Sequence, residues 1–165
     1  MIGLIVPQQH RVKEGLSVID HVWTVVCSHA VIDKDSNNVS LHNIIEQLNI
    51  KAEPRPDGAL AIPFEVVTLW QRADYDTPCQ GRQRLSFLTP LGEELGSFEA
   101  DINLSTSRRQ RNRMRFQHLP AREAGRHVFQ VELRNEGENE WRKVAAIPIE
   151  LIFQPPETEE AESES

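Results

Sequence analysis

In SFEADINLS, residues 97–105, every second residue is apolar. Phe98, Ala100, Ile102 and Leu104 fall on one side of the chain, and Glu99, Asp101 and Asn103 on the other. A helix would scatter these residues around its axis, whereas an extended chain sorts them onto a wet and a dry face. The same period runs through Phe129, Val131 and Leu133 in HVFQVELRN (127–135). It recurs in KVAAIPIELIF (143–153) through Ile147, Ile149, Leu151 and Phe153.

The period predicts strands over 21–33, 39–50, 61–73, 82–89, 96–105, 111–119, 126–135 and 140–153. Turn-forming clusters separate them: DKDSNN, EPRPDG, ADYDTP, PLGEEL, REAG and NEGEN. Segment 39–50 also fits a helix through Leu41, Ile44, Ile45 and Leu48, and the strand is preferred. Eight strands at this spacing read as an all-β fold, an antiparallel β-sandwich of about seven to eight strands. Pro63 and Pro148 fall inside strand patterns and cannot donate to a ladder, so edges or bulges are expected there. Trp23, Trp70 and Trp141 are expected as core anchors between the sheets, with one of them a candidate for an interface.

The 165 residues suffice for one domain with its own core, placed at 21–153. Residues 1–20 have no clear period and read as an N-terminal arm. Residues 154–165 read as a disordered acidic tail. Five of the glutamates behind the net charge of −7 lie in the closing ETEEAESES, which holds no apolar residue larger than alanine. No run reaches the roughly 18–20 apolar residues of a membrane helix, and the apolar start before Pro7 is short for a signal peptide. Two cysteines, Cys27 and Cys79, with no CxxC pair, read as free thiols in a cytoplasmic protein.

Asp33, Asp35 and Asn37 sit two apart, as ligands do at the start of a calcium loop. The helix-loop-helix version needs glycine at its sixth position and glutamate at its twelfth, where this chain has Asn38 and Ile44. The stretch therefore reads as a turn between two strands, its asparagines tolerating positive φ. A calcium or lipid site of C2 type would need Asp33 and Asp35 to meet Asp74 and Asp76 at one end of the sandwich. His21, Cys27 and His29 share a parity but are spread along one strand, so they do not converge on an ion. No metal or cofactor is expected. GxSxG, HExxH and a glycine-rich phosphate loop are missing, and nothing points to an enzyme.

SRRQRNRMRFQHLP, 107–120, holds five arginines in eight residues: Arg108, Arg109, Arg111, Arg113 and Arg115. On a strand, Arg111, Arg113 and Arg115 share one face, opposite Met114 and Phe116. Forked guanidinium donors in a row suit phosphates, so anion or nucleic-acid binding is one reading. The other is a solvated face paired across strands with Glu93, Glu94, Glu99 and Asp101. The acidic net charge and the lack of interleaved Tyr or Trp favour the second.

Cys27, Val31, Ile32 and Asp33, followed by Ser40, Leu41, Ile44 and Ile45, resemble the opening of an uncharacterised family of small prokaryotic β-sandwich proteins. The acidic turn NEGENEW and a last strand ending IPIEL resemble that family's end. This chain has His42 and Asn43 where the family has a glycine. The resemblance implies an immunoglobulin-like or C2-like sandwich and no activity. The function expected is a non-catalytic binding or assembly module that recognises a protein partner, or a second copy, through an edge strand.

Overall fold

The structure is a computed structural model and describes residues 18–154. The arm expected over 1–20 lies mostly outside the described residues, and Ile19 and Asp20 already belong to the first strand. The tail expected over 154–165 lies outside them too, apart from Gln154, whose N–H still donates to Ile50.

The described residues are all β, in eleven strands. These are β1 (Ile19–Ile32), β2 (Val39–Ile44), β3 (Gln47–Ile50), β4 (Ala59–Leu60), β5 (Phe64–Arg72), β6 (Cys79–Leu88), β7 (Glu94–Leu104), β8 (Arg109–Phe116), β9 (Leu119–Pro120), β10 (Gly125–Asn135) and β11 (Arg142–Phe153). One sheet has the order β2-β1-β5-β8, a second β3-β11-β10-β6-β7, and β4 pairs with β9. All pairs are antiparallel except β3 with β11, which is parallel. The expected all-antiparallel arrangement fails there because the segment read as one strand, 39–50, changes sheets. Asn43 takes φ 51°, the Ile45 N–H donates to Val26, and the chain then pairs with β11 instead of β1.

The two large sheets share one core. Phe64, Val66 and Trp70 of β5 meet Leu85 and Phe87 of β6, Phe129 and Val131 of β10, and Ile149 and Leu151 of β11. Aromatic rings carry the contact, with Phe64–Phe129 centroids 5.5 Å apart and Phe87–Phe129 4.5 Å. At one margin β4 and β9 close so tightly that a Cβ on Gly58 would lie 2.0 Å from the Ala121 carbonyl oxygen.

A hydrogen-bonded chain crosses this core. His21 Nε2 lies 2.8 Å from Thr24 Oγ1, which donates to Thr68 Oγ1 at 3.0 Å. With its proton given to Thr68, Thr24 must accept from His21. Gln83 donates to Thr68 and accepts from Trp70 Nε1 at 2.9 Å and from Asn112 Nδ2 at 3.0 Å. Thr68, Trp70 and Gln83 are buried, so each polar atom here needs its partner.

Of the three tryptophans only Trp70 belongs to the shared core. Trp23 is half-buried on the outer face of the four-stranded sheet. Trp141 precedes β11 and packs against the guanidinium groups of Arg84 and Arg134, 4.7 and 4.6 Å from its ring centroid. No helix among the described residues is long and apolar enough to cross a membrane.

Candidate functional site

β8 is the outer strand of the four-stranded sheet, in register with β5 so that Arg115 faces Glu65, Arg113 faces Val67 and Arg111 faces Leu69. Phe64, Val66 and Trp70 point into the shared core, so alternation puts Glu65, Val67 and the three arginines on the outer face. The shared face of Arg111, Arg113 and Arg115 is the one the sequence predicts. Their partners are not. β7 lies in the other sheet, where Glu99 and Asp101 hold Arg82 at 2.9 and 3.2 Å. The chain crosses between sheets after Leu104, so the acids of β7 never face β8.

Glu65 is the acid that serves the row. It is 7% exposed and receives two bonds from Arg113, at 2.5 and 2.8 Å. Arg115 lies 3.6 Å away and His29 3.5 Å. The Arg113 hydrogen bond holds its carboxyl below the usual carboxylate range. Glu65 also accepts the backbone N–H of Ala30 at 3.2 Å. Arg111 donates to the carbonyl and side-chain oxygens of Asn37 at 2.5 and 2.6 Å. Arg108 rests over the Tyr75 ring and reaches Asp76 at 3.5 Å. Arg109 is exposed and carries no ion pair among the described residues.

Asn37 belongs to the β1–β2 turn, yet it meets a side chain two strands beyond β1. The far half of the hairpin therefore turns over the outer face of its own sheet. Ala30, Val39 and Leu41 pack there on Trp23, Val25, Cys27 and Val67, forming a second small core. That cluster explains why β5 is apolar on both faces, in FEVVTLW. Arg111 thus fastens the hairpin directly and Arg113 fastens it through Glu65, while Arg108, Arg109 and Arg115 stay exposed.

The neighbouring thiol and imidazole are not set up for nucleophilic chemistry. Cys27 is fully buried, and burial, followed by the Glu65 charge, pushes its thiol up, away from the reactive thiolate. The parity shared by His21, Cys27 and His29 breaks at a bulge between His21 and Trp23. His21 turns inward against Trp70, and His29 stands outside, stacked on His42. The two aspartate pairs do not meet. Asp33 follows the end of β1 and Asp74 follows the end of β5, and these antiparallel strands end at opposite ends of the sheet. Each caps its own turn, Asp33 accepting from Ser36 and Asp35, Asp74 from Thr77 and Asp76.

The two sides of the paired sheets differ in how their strand edges are finished. On the β7–β8 side, Gln110 accepts the Asn103 N–H at 2.7 Å and donates to the Asp101 carbonyl at 3.0 Å, as a strand would. Asn112 adds a bond to the same carbonyl at 3.3 Å, and Phe98 packs on Phe116. On the opposite side, β2 pairs with β1 only from Cys27 on, and β3 with β11 only from Glu150 on. From Thr24 to Val26 on β1 and from Ala146 to Pro148 on β11, no second strand is paired among the described residues. Val26 offers its carbonyl to Ile45, and Glu150 its N–H to Glu46. By alternation Thr24, Ala146 and Pro148 turn their backbone groups to the same open side. Pro148 therefore loses no ladder bond, as expected of a proline at an edge. A groove of about 500 Å³ lies there, lined by Thr24, Ile44, Glu46, Arg126, Ile147 and Glu150 among others.

No protein-family model and no curated protein matches the chain. Among solved structures it is similar to a family 123 glycoside hydrolase from Clostridium perfringens, at 8% identity and a TM-score of 0.45, over 84% of this chain and 28% of that one. It is also similar to the Pseudomonas fluorescens alkylpurine DNA glycosylase AlkC, at 13% identity and a TM-score of 0.32, over 78% of this chain and 30% of that one. The chain thus spans under a third of the length of either enzyme.

Sequence reasoning missed Glu65, Gln110 and the open edge of β1, and pointed to that of β11 only through Pro148. Glu65 had a local signal, a single carboxylate at the head of an otherwise apolar strand, where burial demands a partner. The β1 edge had none, because which strand lacks a neighbour is not written in any one strand.

Proposed function

We propose that the protein is a non-catalytic binding or assembly module, a β-sandwich of immunoglobulin-like or C2-like type. It recognises a protein partner by taking an extended segment onto the open edges of β1 and β11. The observation that carries this is the contrast between the two sides. Amide side chains cover the Asp101 carbonyl and the Asn103 N–H on the β7–β8 side, and the β1–β11 side keeps backbone donors and acceptors beside a groove. The engagement of Arg111 and Arg113 and the shielding of Cys27 leave less for the anion-binding and catalytic alternatives. Both cysteines are free thiols, which suits a cytoplasmic setting.

Ala146→Pro tests the reading on the full chain. It removes an N–H that faces the open side and spares the β10 ladder, so the fold should survive. We expect a defined protein to co-purify with wild type from the native host, with the Thr24 and Ala146 amides protected from exchange in the complex. It should be lost with Ala146→Pro and kept with Gln110→Ala. A partner that Ala146→Pro retains, or a strictly monomeric wild type without any partner, overturns the proposal.

A further inference from the structure

Along its own strand His29 has no fellow ligand, because His21 turns inward on Trp70 and Cys27 is buried. Across the hairpin it has one. His42 is its register partner on β2, and the two imidazoles stack with ring centroids 6.2 Å apart. Both histidines are exposed. Rings this close need only side-chain rotations to bring one nitrogen of each to the roughly 2.0–2.1 Å that imidazole keeps from a metal. The backbone beneath them is tied down. Arg111 binds Asn37 in the turn, Glu65 binds the Ala30 N–H beside His29, and Asn43 donates to Ser28 Oγ at 2.6 Å beside His42. Ligands held on a fixed backbone lose less freedom on binding. His29 Nδ1 also lies 3.5 Å from Glu65 Oε1. A carboxylate there favours the proton on Nδ1 and leaves the Nε2 lone pair for an ion, as in the carboxylate–histidine–metal arrangement. Glu65 is itself taken up by Arg113, so it stands behind the ring and does not bind the ion. Arg115, 63% exposed and 3.6 Å from Glu65, opposes a cation, but water screens it.

We propose that His29 and His42 form a two-histidine site for a divalent transition-metal ion of the copper, nickel and zinc type, which clips β2 to β1. Imidazole nitrogen suits these ions, whereas calcium and magnesium take oxygen ligands. Among the described residues no group of three or more His, Cys, Asp or Glu stands ready for a metal, so the ion has two protein ligands and water completes its shell. Such a site works whether or not a strand docks at the open edges.

The probes are Cu²⁺, whose unpaired electron broadens nearby amide signals, and Zn²⁺, whose affinity is read by calorimetry, each added to the full chain. We expect broadening centred on His29 and His42. Zn²⁺ affinity should fall at least about tenfold in His29→Gln and in His42→Gln alike, since one imidazole alone is no chelate. It should hold in His118→Gln and rise about two- to threefold in Arg115→Gln, which removes a neighbouring positive charge. Both histidine variants change exposed side chains, so their metal-free urea midpoints should match wild type. With Zn²⁺ present, amides over 28–43 should exchange more slowly in wild type but not in those variants. If neither ion binds, if broadening centres elsewhere, or if either histidine variant keeps wild-type affinity, the site is refuted.

Discussion

Replacing Glu65 with alanine should loosen the hairpin over the outer sheet face before it affects the main core. The carboxylate binds Arg113 through both oxygens, accepts the Ala30 N–H, and lies near Arg115. Losing the Ala30 acceptor costs about 1–3 kcal/mol if the N–H stays out of water. Breaking a buried pair costs about 3–5 kcal/mol, but Arg113 keeps 20% of its side-chain surface in water, so that figure is an upper bound. Arg115, 63% exposed, adds little. The sum is about 3 kcal/mol, or a Tm drop of about 10 °C for a domain of this size. Glu65→Gln keeps one acceptor for Ala30 and should lose less. Urea denaturation gives the magnitude. Hydrogen exchange gives the location: amides over 28–43 should exchange faster in Glu65→Ala, and those of β10 should change only by the global loss. A variant within about 0.5 kcal/mol of wild type, with Ala30 protected as before, would refute the role of Glu65 as the hairpin's anchor.

Gln83→Leu leaves the Trp70 indole N–H and the Asn112 amide without their acceptor inside the core, so a loss of about 2–4 kcal/mol is expected in denaturant titrations followed by tryptophan fluorescence. An unchanged midpoint would mean that the polar chain crossing the core is dispensable. Two groups should shape the pH dependence of stability. Burial lowers the His21 pKa from 6.5, so the unfolded chain binds protons first and stability falls as pH drops below 6.5 toward the folded value. Glu65 is depressed from 4.5 by its Arg113 hydrogen bond, so its contribution is complete above 4.5 and is lost as pH falls through the lower folded value. In urea midpoints measured against pH, His21→Gln should flatten the first slope and leave the second. A first slope that persists would clear His21 of it.

Several features are legible in the amino-acid sequence alone, for a local reason. The alternation in SFEADINLS, HVFQVELRN and KVAAIPIELIF appears as β7, β10 and β11, because burying one side of an extended chain needs only a period of two. The same period puts Arg111, Arg113 and Arg115 on one face of β8. Near-continuous apolar runs in β1 and β5 signal strands covered on both sides, though not what covers them.

Only the tertiary structure decided where each strand goes. Backbone ladder bonds carry no residue label, so pairing is settled by the whole set of long-range contacts. That set placed β7 and β8 in different sheets and gave Arg113 to Glu65, 48 residues away. It also sent one extended segment from the first sheet into the second, and folded a hairpin back over its own sheet to bury Cys27 and Val67. The candidate site is a product of that arrangement. An edge exists only where a neighbour is missing. The chain specifies local shape within each strand, and the global pairing decides which of those strands is left open.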